Sequence, residues 1–145
     1  MQAASESEKQ FDELGVLLGD MKIYLQKIEQ GCQELSVTFH TANKSDALET
    51  LTQIMEGLDY YQRLLKSAAV LLTIDISESL CEAMSISSLF DQLCQIFNSI
   101  VEAIENEDFS LLTDLIEYDL IPAICISQKM LAGVQGKYEE RVMKE

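Results

Sequence analysis

Apolar residues at Phe11, Leu14, Leu18, Met21, Leu25, Ile28, Cys32, Leu35 and Phe39 alternate spacings of three and four. That is an a/d heptad series, and it predicts one long helix with a single apolar seam. Ser7 stands before the series as an N-cap, and Asp12 and Glu13 lie near the positive end of the helix dipole. Gly15, Gly19 and Gly31 each lower helix propensity by up to about 1 kcal/mol. Such a helix needs partners to pack on. The polar stretch HTANKSD, residues 40–46, ends it and offers Asn43 or Ser45 as the next cap. Ala47, Leu51, Ile54, Leu58, Tyr61, Leu65, Ala68 and Leu72 then repeat the alternation. Leu48, Met55, Leu64 and Leu71 widen the stripe, as a bundle helix requires.

After Leu72 the period falters. TIDISESLCEAMSISS is rich in Ser and β-branched residues, and a short extra helix is expected near residues 79–84. Ser88 followed by Asp91 resembles a capping box and opens a third helix through Leu89, Leu93, Ile96, Phe97, Ile100, Ala103 and Ile104. ENED, residues 105–108, forms the next turn, with Asp108 as N-cap of a fourth helix carrying Leu112, Leu115, Ile116, Ile124, Met130 and Leu131. Pro122 falls inside that helix. It lacks an amide proton and crowds the carbonyl of Tyr118, so a kink is expected there. Gly133 and Gly136 loosen the C-terminal end of that helix. The whole is read as one all-α domain, an antiparallel up-and-down four-helix bundle over residues 1–145, frayed at 1–7 and 137–145.

The 145-residue length suits a single core, and 48% apolar with 24% charged residues is ordinary for a globular chain. One Pro and six Gly are too few for a many-turned β fold. The apolar runs are too short to cross a bilayer, and the N-terminus lacks the features of a signal peptide. Cys32, Cys81, Cys94 and Cys125 form no CxxC pair, which points to reduced thiols and a cytoplasmic protein.

Charge changes the picture more. The net charge is −15, and no Lys, Arg or His lies between Lys66 and Lys129, an interval holding eleven Asp and Glu. Such a surface repels nucleic acid and anionic lipid, and it suits a basic protein partner. Within it Glu102, Glu105, Glu107, Asp108, Asp114, Glu117 and Asp119 fall in a short span. Two pairs there, Glu102 with Glu105 and Asp114 with Glu117, each share a helix face and could together hold a divalent metal. They resemble the ExxE…ExxD arrangement of helical nucleotide pyrophosphohydrolases. The spacing between the pairs is short, the second pair runs DxxE, and no cation lies near to hold a triphosphate. The only histidine, His40, has Val37 three residues before it, so the ExxH ligand pairs of di-iron bundles are absent. No nucleophile elbow or phosphate loop is present. No cofactor is implied.

Asn106, Asp108, Phe109, Leu111, Leu112, Asp114, Leu115, Glu117, Tyr118, Asp119, Leu120 and Pro122 make a further motif. It resembles one found near the C-terminus of small uncharacterised all-helical bacterial proteins. That resemblance implies an all-helical bacterial fold and no particular activity. In size, acidity and helical class the chain is also similar to flagellar and type III secretion chaperones, by analogy alone.

The function read from the sequence is non-catalytic: an acidic helical protein-binding module, chaperone- or adaptor-like. Tyr60, Tyr118 and Asp119 are its interaction candidates. Tyr61 fits the core stripe, whereas Tyr60 stands off it. The alternatives are a divalent-metal hydrolase of a nucleotide or phosphate ester, with Glu102, Glu105, Asp114 and Glu117 as ligands, and a self-associating protein whose first helix pairs with its copy in a homodimer. Thiol titration of the denatured, unreduced protein is expected to find four free thiols.

Overall fold

The computed structural model describes the backbone of residues 2–41, 44–81 and 83–144, and the side chains of residues 8–39, 44–81 and 83–144. Helix α1 spans Gln2–Thr41 and α2 spans Lys44–Leu72. Two short strands come next, β1 (Ser79–Cys81) and β2 (Met84–Ser85). Then come α3 (Ile86–Glu105), α4 (Phe109–Leu115), a π-turn at Ile116–Leu120, and α5 (Ile121–Lys144). The described residues are thus all-α apart from one two-stranded hairpin.

The heptad seams form the core. The α1 seam from Leu14 to Phe39 and the α2 seam from Ala47 to Leu72 are buried throughout. They join Leu89, Ile100, Leu112, Ile116, Leu120, Ile124 and Leu131 in one apolar cluster. α1 packs chiefly on α2 and α5. Along α2 the pairing runs backwards: Ile54 meets Gly31, while Gly57 meets Tyr24 and Ile28. On its other flank, Glu29 meets Cys125 and Gln128, and Phe11 meets Tyr138.

Two of the glycines let tyrosines lie across a helix. A Cβ on Gly57 would come within 2.5 Å of the Tyr24 hydroxyl oxygen and 3.0 Å of Ile28 Cδ1. A Cβ on Gly15 would collide with the Tyr138 ring. That ring stacks on Phe11 with centroids 4.7 Å apart. α2 and α5 are tied by polar contacts as well. The buried Tyr61 hydroxyl donates to the Ser127 carbonyl at 2.8 Å, and Arg141 Nη1 donates to the Leu72 carbonyl at 3.4 Å. Among the described residues no buried side-chain N or O lacks a partner.

Several local expectations are corrected. Ser7 and Ser45 lie inside helices rather than capping them, since α1 begins at Gln2 and α2 at Lys44. The Asn43 alternative lies outside the described residues. The extra helix near residues 79–84 is instead the hairpin, with Ser79 paired to Ser85 and Cys81 to Met84 around a bulge. Ala83, at φ 63, helps close its turn. Ahead of it Asp75 accepts from the Ser77 hydroxyl at 2.6 Å and from its amide at 2.9 Å, and these bonds hold the Asp75 carboxyl below the usual carboxylate range. The cap of α3 is Ser85 rather than Ser88. The Ser85 hydroxyl accepts the Ser88 amide at 3.1 Å, so the helix starts three residues earlier.

Pro122 explains the π-turn. It has no N–H for the Tyr118 carbonyl, and its ring crowds that turn. The backbone widens just before it: the Ile121 amide donates to the Ile116 carbonyl, five residues back. Pro122 then occupies the first turn of α5, where an absent donor is tolerated.

Two helices end without the glycine that such ends favour. Thr73 (φ 56) and Glu107 (φ 55) take left-handed backbone. The next residues close the ends: Ile74 donates to Ala69 at 2.8 Å, and Asp108 to Ala103 at 2.9 Å. Asp108 then caps α4 as expected, accepting the Leu111 amide at 3.1 Å. Urea unfolding should therefore find Glu107→Gly more stable by about 0.5 kcal/mol and Asp108→Ala less stable by about 1 kcal/mol.

Candidate functional site

The acidic stretch straddles the α3–α4 turn and the π-turn. Glu102, Glu105, Glu107, Asp108, Asp114, Glu117 and Asp119 are all exposed. Water and salt screen such charges beyond about 8 Å. Among the described residues no three His, Cys, Asp or Glu side chains group so as to hold a metal ion. The hydrolase alternative placed its ligands at Glu102, Glu105, Asp114 and Glu117, and these four do not converge. Glu117 turns toward α1, where it accepts the Ser36 hydroxyl. The His40 backbone belongs to α1, and its side chain lies outside the described residues.

Cys32 and Cys125 are held protonated rather than activated. Cys32 is fully buried, and desolvation, with the Glu29 carboxylate nearby, pushes its pKa up to about 12. Cys125 donates to Glu29 Oε1 at 3.1 Å, while Gln128 Nε2 donates to Glu29 Oε2 at 3.2 Å. Burial, then the hydrogen bond and charge of Glu29, raises the Cys125 pKa, with Lys129 partly opposing. A thiol–carboxylate contact with a raised thiol pKa is poor ground for a nucleophile. Cys81 is half-buried and Cys94 exposed, and all four are free.

Tyr60 lies in different surroundings. It lines an open groove of about 560 Å³ between the first half of α1 and the second half of α2. Leu14 and Leu64 form the floor, with Leu17, Val70 and Leu71 on the walls. Val70 is 81% exposed and Tyr60 45%. Tyr24, resting on Gly57 one turn from Tyr60, is also partly exposed. Arg63, which lines the groove, is paired with Asp59 at 2.9 Å. Tyr118, 73% exposed, and Asp119 do not line it. The Ser36–Glu117 contact sets the π-turn against α1 nineteen residues beyond Leu17. At 1.5 Å per residue that is about 28 Å along the helix. Tyr60 and Tyr118 therefore belong to separate surfaces.

The family model described as "Domain of unknown function (DUF8042)" matches residues 16–130. The chain belongs to the DUF8042 family. No curated protein and no solved structure matches it. Leu17, Tyr60, Val70 and Leu71 lie inside the DUF8042 match, whereas Phe11, Gly15 and Tyr138 lie outside it. Among the described residues no helix is long and apolar enough to cross a membrane.

Sequence reasoning found Tyr60 by its position off the stripe. It missed Leu17, Tyr24 and Val70, whose signal is apolar character at outward heptad positions.

The raised thiol pKa values make DUF8042 stability depend on alkaline pH. Below pH 9 the thiol of Cys32 is protonated in both folded and unfolded chains. Between 9 and about 12 only the unfolded chain ionises, so folding loses stability as pH rises. Urea midpoints should fall from pH 8 to 10. The fall should be shallower in Cys32→Val, with the remainder from Cys125, Tyr61 and Tyr138, whose pKa values burial also raises.

Proposed function

We propose that this DUF8042 chain is a non-catalytic protein-binding module, adaptor- or chaperone-like, working in the bacterial cytoplasm. We take its frame to be an antiparallel up-and-down four-helix bundle kinked at Pro122. The observation that carries the reading is the α1–α2 groove. Solvent-facing positions of a helix pair are ordinarily polar, and here Leu17, Tyr60, Val70 and Leu71 occupy them in one open channel. An exposed apolar groove that includes a tyrosine is what a docking site offers.

The acidic half supplies the second part of the mechanism. The α3, α4 and π-turn segments carry carboxylates and no base. Their field draws a partner with a basic surface and raises its rate of encounter. The groove supplies the apolar contacts that hold it. Tyr118 and Asp119 stand on the acidic surface, where the Asp119 carboxylate adds to that field.

The test is affinity capture from the source cell with the tagged full chain and a Tyr60→Ala/Leu17→Ala variant. A basic protein retained by the parent should be lost, or bound at least tenfold more weakly, by the variant. Both side chains are partly exposed, so the variant's stability should stay within about 1 kcal/mol of the parent. Capture that is indifferent to both substitutions overturns the reading.

A further inference from the structure

α1 carries the seven-residue repeat twice. Val16, Ile23, Gln30 and Val37 stand seven apart, and Gly19, Gln26 and Gln33 fall between them, so spacings of three and four alternate again. This outer row lies opposite the buried seam. α2 packs on the flank of Tyr24 and α5 on the flank of Phe11 and Glu29, and the row faces out between them. We propose that a second copy of this chain covers the outer row, the two α1 helices lying antiparallel across a two-fold axis.

Residue type is the first support. Val16 is 64% exposed, Ile23 55% and Val37 62%. Solvent faces of helices are ordinarily polar, and β-branched residues there lower helix propensity. A recess along Gln30, Gln33, Glu34, Val37 and Thr38 is lined by α1 residues only. Nothing lies within 4 Å of where a Gly19 Cβ would stand, so no contact inside the monomer requires that glycine. Both helices are already formed, so pairing orders only side chains.

The second support is charge. The row holds no charged residue, in a chain of net charge −15. Over the same span the exposed charges of α1 are Asp20, Lys22, Lys27 and Glu34, two of each sign. Copies of a strongly acidic chain meet most readily on a face whose charges balance.

Direction follows from the residues that flank the row. Glu13, Asp20, Lys27 and Glu34 stand seven apart on one side, with Lys22 and Glu29 on the other. Run antiparallel, with Ile23 against the partner's Gln26, Asp20 meets the partner's Lys27 and Lys22 meets the partner's Glu29. Symmetry makes each pair twice. Among these positions only Glu13 and the partner's Glu34, at the ends, then meet as like charges. A parallel pair would set Lys22 beside the partner's Lys27 and Glu29 beside the partner's Glu34, so like charges would face each other. The antiparallel register also sets Gly19 under the partner's Gln30, where the missing Cβ leaves room for the longer side chain.

Sedimentation of the full chain tests this. Its mass should rise from the 16.3 kDa monomer toward the dimer as concentration goes from micromolar to submillimolar. Val16→Gln with Ile23→Gln keeps the charge and should weaken the dimer at least tenfold, with unchanged circular dichroism. Asp20→Lys should weaken it, and Asp20→Lys with Lys27→Asp should restore it, a rescue that a folding defect would not give. Leu17→Gln with Val70→Gln lies off the row and should leave it unaltered. A chain that stays monomeric throughout overturns the proposal. So does a dimer indifferent to the Val16 and Ile23 changes, or one that the groove variant dissolves instead. A charge exchange that fails to restore the dimer overturns the antiparallel register. The groove reading stands or falls separately, by capture that depends on Tyr60 and Leu17.

Discussion

α1 is a forty-residue helix whose apolar seam is buried from Leu14 to Phe39. Helices of this kind are marginal alone in water, and the burial of that seam is what makes the rest of the chain fold around it. α2 covers one flank and α5 the other, so α1 is gripped between elements whose starts lie 77 residues apart in sequence. Tyr24 over Gly57 and Tyr138 over Gly15 fix how closely each neighbour approaches. The outward positions of α1 are then left to water, and on the α2 side several of them are apolar. The groove at Tyr60 is thus a consequence of how α1 is held, with its own side chains as the surplus.

Charge is divided along the same lines. α1, α2 and α5 carry every Lys and Arg, while the charged residues from α3 through the π-turn are all acids. Exposure keeps those acids tolerable, because solvent screens them and no burial forces them to share protons. The caps use some of them: Asp108 starts α4, and Asp75 orders the loop after α2. The acidic surface and the apolar groove are therefore different parts of the molecule. A long-range field and a short-range apolar contact need not coincide to act on one partner.

The hairpin and the π-turn are the places where helix periodicity meets an obstacle. Residues 74–85 hold too few apolar positions at helical spacing to bury a face, and a tight turn at Ala83 folds them back instead. Leu80 then packs against Gly133 of α5. At Ile116–Leu120 the obstacle is one missing amide proton, at Pro122. The wider turn keeps Ile116 and Leu120 in the core and leaves Glu117, Tyr118 and Asp119 consecutively exposed.

The sequence by itself determined the features that rest on neighbours within a turn or two. The seams of α1 and α2, the buried Tyr61 beside the outward Tyr60, the Asp108 cap and the exposure of the carboxylates all come from spacing and side-chain chemistry. The all-α class comes from the same periodicity. Tertiary structure alone decided the features that need a partner far along the chain. Gly15 read as a weak helix former, and its role is visible only with Tyr138 lying on it, as Tyr24 lies on Gly57. Tyr61 read as core, but its acceptor, the Ser127 carbonyl, lies sixty-six residues away. Leu17 and Val70 carry outward apolar character of a kind common on any surface. They become a groove only because α1 and α2 run past each other in a register set by packing, and no local pattern encodes that register.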